Sequence, residues 1–237
     1  MNAMVKSMRV DWARMTSVGY GMVVGYVLSM PILMVVLTLV IGGDAATAGI
    51  LWLYKYLAAL NLMMYVSFMT FPSVYQDMGN NADMNGLMPV SRRNQVLGRY
   101  VYLLIFGVIF ILTEALTYPL AFAVAGQLGS MGALPWGTLA ALLFAYVVLA
   151  AIVLVLVYRF KAQTLLYVVV FAGSGLMLCG FVLAARFSDQ VQTILGWLGS
   201  HVFSSVWLTG VLGVVIAAVV LAGSYLLSVR LYERKEM

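Results

Sequence analysis

Apolar residues run through this chain in long stretches, and polar residues are confined to the gaps between them. Six stretches come near the ~20 residues that a helix needs to cross the hydrocarbon layer of a bilayer. They are residues 19–41, 50–72, 97–125, 136–158, 164–185 and 206–229. The pattern predicts an all-α membrane protein, one transmembrane domain over 1–237 with six membrane-crossing helices. Pro31 and Pro119 fall inside the first and third stretches, where a missing backbone donor is expected to kink each helix. The third stretch is overlong, so a tilt or a break near Pro119 is expected.

Two shorter elements flank these spans. From Met1 to about Thr16, Met4, Val5, Met8, Trp12 and Met15 recur at helical spacing, with Lys6, Arg9 and Arg14 elsewhere on the turn. A basic helix with a Met/Trp face fits one lying in the cytoplasmic membrane interface. Before the last span, Ser188 is placed to cap a helix with Asp189 in its first turn. Val191, Ile194, Leu195 and Leu198 then form an apolar stripe. This predicts a short helix on the outer face.

Charge gives the orientation. With the N-terminus inside, the inner segments hold eleven Lys and Arg residues and the outer segments only Arg186, with Lys55 inside the second span. By the positive-inside rule both termini are cytoplasmic, N-in and C-in. The composition agrees with a membrane setting: 64% of residues are hydrophobic and 9% charged, against about 25% charged in a soluble domain. The net charge of +5 does not form a basic face interleaved with aromatics, which argues against a nucleic-acid partner. No cleavable signal peptide is expected, because the first apolar run is too long and no small-residue cleavage site follows it.

Catalytic groups are sparse. Cys179 is the single cysteine and His201 the single histidine, so neither a disulfide framework nor a metal cluster of suitable spacing can be assembled. Ser174 lies between Gly173 and Gly175, which invites comparison with intramembrane serine proteases. However, Ala172 stands two positions before it where those enzymes carry glycine, and His201 falls outside a span. Small residues of this kind more often mark close helix packing. No phosphate-binding Gly-x-x-x-x-Gly-Lys-Ser/Thr loop is present. If nucleotide drives this protein, another chain must bind it.

Two charges fall within spans, Glu114 in the third and Lys55 in the second. Each must face protein or water, or snorkel. Lys55, flanked by Trp52, Tyr54 and Tyr56, reads as an outer interfacial anchor. Glu114 is too deep and too short to snorkel. It is read either as a structural partner, with Lys55 the candidate, or as part of a transport path or proton relay. The second reading would make the chain a proton- or ion-coupled secondary transporter.

The longest polar interval runs from Asp77 to Tyr100. Residues 73–96 are expected to form a cytoplasmic loop. A Gly- and Asn-rich tract is followed by Pro89, and Ser91 is placed to cap a helix that leads into the third span. Within it, Leu87-Met88-Pro89-Val90-Ser91-Arg92-Arg93 and then Val96-Leu97-Gly98-Arg99-Tyr100 resemble the second-to-third-span segment of ABC-2 type transporter permeases. Small bacterial members of that family show Leu-Pro-Val-Ser-Arg, a few residues, and then an apolar-Gly-Lys-Tyr start to the span. This chain departs from it at Met88 and Arg99, both with character preserved, and Asp77 matches a usual upstream acid.

The resemblance implies a catalytically inert permease subunit of an exporter, and the small, aromatic- and Met-rich membrane body fits an amphipathic peptide, an antimicrobial or a lipid-like compound equally well. It implies two permease copies, or a pair with a similar permease, and a separate ATPase chain that binds ATP and Mg. Neither cofactor would sit in this chain. Asp77, Pro89, Ser91, Arg92, Arg93 and Arg99 would receive the ATPase, and Lys6, Arg9 and Arg14 would supply a second contact. A bacterial plasma membrane is the implied location.

Overall fold

The protein is described by a computed structural model, covering residues 3–16, 20–41, 47–68, 91–160 and 206–234 and single positions between 164 and 193. The described residues are helical apart from short turns. Among the described residues, the continuous α-helices are α1 (Ala3–Thr16), α2 (Tyr20–Ile41), α3 (Thr47–Phe68), α4 (Arg92–Val124), α5 (Trp136–Arg159) and α6 (Val206–Arg234). A single 3₁₀ turn, Leu128–Ser130, lies between α4 and α5.

Among the described residues, four helical stretches are long and apolar enough to cross a membrane: Gly49–Phe68, Arg92–Val124, Trp136–Arg159 and Gly210–Arg234. Helix α2 is 22 residues long and carries no charged residue. The expected fifth span over 164–185 and the outer helix after Ser188 lie outside the described residues, save isolated positions. So does most of the expected loop over 73–96. Its last five residues are not loop, because α4 begins at Arg92.

Helix α4 is the axis of the fold. It runs 33 residues without a break, about 50 Å at 1.5 Å per residue, well beyond the ~30 Å hydrocarbon layer. It continues through Pro119, so the expected break there is not seen. Its sequence carries two stripes. Val96, Tyr100, Leu103, Phe106, Phe110, Glu114, Thr117 and Ala121 are buried, at the i, i+3, i+4 spacing of one face. Leu104, Val108, Leu112, Leu116 and Leu120 recur every fourth residue and are exposed. Such a face meets no cost in lipid, whereas in water it would be a large apolar patch.

The buried stripe packs against α1, α2, α3, α5 and α6. Two apolar clusters result. One gathers Tyr65, Phe106, Phe110, Tyr146, Leu154, Val157, Tyr158 and Val229. The other gathers Met30, Met34, Tyr54, Leu57, Tyr118, Ala121 and Phe122. Helices α4 and α5 pack tightly at Gly107, where an added Cβ would come within 2.9 Å of the Tyr146 ring. Tyr146 is fully buried and donates its hydroxyl to the Leu103 carbonyl at 3.0 Å. Glycine at 107 is therefore what lets this tyrosine seat itself against the helix.

Helix α1 forms over the expected residues. It packs against α4, burying Ser7 and half-burying Val5 and Met8, while Trp12 is 38% exposed.

Candidate functional site

Two places collect the polar residues that the fold does not need as solvent-facing surface. The first is the end of the bundle where α4 starts and α5 and α6 finish. Ser91 precedes α4 as expected, and its carbonyl accepts the backbone N–H groups of Asn94 and Gln95 at 2.9 and 3.1 Å. Its side chain makes no capping bond, so the helix start is closed by the backbone and not by the hydroxyl.

The three arginines of this segment do different things. Arg92 is half-buried and donates to the carbonyl of Glu233 at 3.3 Å. That carbonyl belongs to the last turn of α6, where a positive charge complements the negative end of the helix dipole. The Arg92 guanidinium also lies 5.9 Å from the Tyr232 ring centroid. Arg99 is half-buried, its guanidinium 5.4 Å from the Tyr158 ring centroid. Both distances suit a cation–π contact. Arg93 is exposed. Arg92 and Arg99 thus each lie against an aromatic ring of the bundle, and Arg93 is exposed.

Sequence reasoning missed the residues that hold this end together. The Tyr232 hydroxyl donates to Gln95 Oε1 at 2.8 Å, and its ring lies 5.3 Å from that of Tyr158. Tyr100 and Ser228 share a hydroxyl–hydroxyl bond of 3.0 Å. These contacts fix the start of α4 to the ends of α5 and α6. They also bring Arg159, Arg230 and Arg234 to the same end, all three exposed. Lys6 and Arg9 are exposed on α1; Arg14 lies in the same helix, with its side chain outside the described set. Asp77 and Pro89 lie outside the described residues.

The second place is in the interior, between α3 and α4. Glu114 is 2% exposed and Asn61 fully buried. Asn61 Nδ2 donates to Glu114 Oε1 at 2.5 Å. Tyr54 donates to the Glu114 carbonyl at 3.5 Å, and Tyr65 lies 3.4 Å from the Thr113 hydroxyl. The pairing of Glu114 with Lys55 is not formed: the carboxylate meets Asn61, and Lys55 is exposed. Lys55 sits beside Trp52 and Tyr56, whose rings stack at 5.7 Å, as an interfacial anchor would. Asn61 was the missed signal, the one asparagine in the second apolar run.

A continuous apolar-faced shaft and helices of membrane length describe a membrane body with arginines gathered at one end. Residues 22–233 match the family described as ABC-2 family transporter protein. The chain belongs to the ABC-2 transporter family. It is a membrane subunit of a transporter, and its apolar helices make it a multi-pass membrane protein. No curated protein and no solved structure matches this ABC-2 permease. The match spans both the end cluster around Arg92 and the interior pair Asn61–Glu114.

Proposed function

We propose that this chain is the permease subunit of an ATP-driven exporter whose ATPase is a separate chain. The observation that carries this is the single helix α4. It begins at Arg92, at the end of the polar interval, and continues unbroken to Val124. A partner pressing on the exposed Arg93 would move one rigid element through the whole membrane. The tie from Arg92 and Gln95 to Tyr232 and the α6 end would carry that displacement to the last helix. No group in this chain needs to do chemistry for that; a two-state membrane body is biased by contacts that differ between its states.

In this reading the arginine-rich end faces the cytoplasm, as the charge distribution requires. Asp77, Pro89, Ser91, Arg92, Arg93 and Arg99 form the docking segment, with Lys6, Arg9 and Arg14 as a second contact. Two permeases associate in a bacterial plasma membrane, and the substrate is a peptide, an antimicrobial or a lipid-like compound that passes between them. Purification of the tagged chain from its own host in mild detergent tests the central claim. A near one-to-one ATPase partner is expected, lost or uncoupled when Arg93 is changed to Glu. A chain that arrives alone and hydrolyses nothing overturns it.

A further inference from the structure

Among the described residues, Glu114 is the only acid or base in the buried set. A carboxylate in a bilayer interior is costly unless another group compensates its charge. Here an amide, Asn61 Nδ2, is the hydrogen-bond donor at its Oε1. Lys55 is exposed and six residues away along α3, so it does not compensate. The same amide carries a second defect. Asn61 is fully buried, and its Oδ1 has no hydrogen-bond partner among the described residues. An orphaned acceptor beside an uncompensated acid is an arrangement that one positive charge resolves on both sides.

We propose that Asn61 and Glu114 form an intramembrane site for a single positive charge, a proton or a small monovalent cation. A proton added to the carboxylate makes a neutral acid whose O–H donates to Asn61 Oδ1, and the amide and acid then bond reciprocally. A small cation would instead take the two oxygens as ligands. The surroundings suit either. The Tyr54, Tyr65 and Thr113 hydroxyls are hydrogen-bonded within the α3–α4 seam, and Thr117 donates to the Thr113 carbonyl at 2.7 Å. The other titratable groups that face it are Tyr118, edge-on to Tyr54, and Tyr146 on α5, whose hydroxyl is committed to Leu103. Helix α2 carries no charged residue.

The site joins the two helices on either side of the polar interval, so its occupancy adds to the bonds that already hold α3 to α4. It stands whether or not an ATPase drives the protein. The full chain in lipid nanodiscs at neutral pH is read in two ways. Infrared spectra are compared for wild type, Glu114→Gln and Asn61→Val, and thermal unfolding is followed in sodium chloride against choline chloride. A carboxylic-acid carbonyl band that Glu114→Gln removes and Asn61→Val displaces assigns a proton. Absence of that band, with sodium raising the unfolding temperature of wild type and of neither variant, assigns a cation. Asn61→Val keeps the acid, so the infrared arm stands even if Glu114→Gln fails to fold. No acid band and no sodium effect overturns the site.

Discussion

Tyr232 should be the residue on which the loop-side end of the bundle depends, and its two substitutions separate what its hydroxyl and its ring contribute. Phe at 232 removes one bond, the hydroxyl to Gln95 Oε1 at 2.8 Å. A net loss of about 1 kcal/mol is expected for it. Ala at 232 also removes the ring. The cation–π contact with Arg92 at 5.9 Å is worth about 0.5–1 kcal/mol at a half-exposed site. The ring pair with Tyr158 at 5.3 Å is worth about 0.5–1.5 kcal/mol. Tyr232→Ala should therefore cost about 2–3.5 kcal/mol in all, against about 1 for Tyr232→Phe. The assay is reversible unfolding in mixed micelles, followed by far-ultraviolet circular dichroism as the denaturing detergent is raised. Equal losses from the two variants would refute the ring's role. An Ala variant as stable as wild type would show that α4 and α6 are not fastened here at all.

Gly107→Ala is expected to destabilise despite the ~1 kcal/mol helix-propensity gain, because its Cβ would lie 2.9 Å from a pinned Tyr146 ring; in a Tyr146→Leu background the same change should be neutral or stabilising, by the same unfolding assay. Arg93→Glu should abolish partner capture while leaving the unfolding midpoint unchanged, since its side chain is exposed, whereas Arg92→Glu should lower the midpoint too, having lost its bond to the Glu233 carbonyl. Asn61→Leu should destabilise by about 1–3 kcal/mol, the cost of leaving the buried Glu114 carboxyl without its amide donor. Lys55→Leu should change stability by less than about 0.5 kcal/mol, its side chain being exposed.

The helices were legible because burial in lipid demands uninterrupted apolar length, and the boundaries at Tyr20, Trp136 and Val206 fall within a residue of the apolar runs. The start of α4 was legible from Pro89 and Ser91, whose backbone preferences end one element and begin another. What was not legible depends on side chains meeting across the chain. Tyr232 and Gln95 are 137 positions apart, and no local pattern pairs them. Glu114 drew attention as a charge, but its partner was sought among cations, while a lone asparagine in an apolar run went unremarked.

The seat of Tyr146 against Gly107 has a mechanical consequence. It lies 15 residues from the Arg92 end of α4 and 17 from the Val124 end, about 23 and 26 Å along the axis. A stiff rod held near its middle is a balanced lever with a fulcrum. If α4 tilts about that point, a push of a few ångströms at the arginine end swings the far end by about the same distance in the opposite direction. One side of the membrane would narrow as the other widens, with no hinge in the helix and no residue moving far from where it sits.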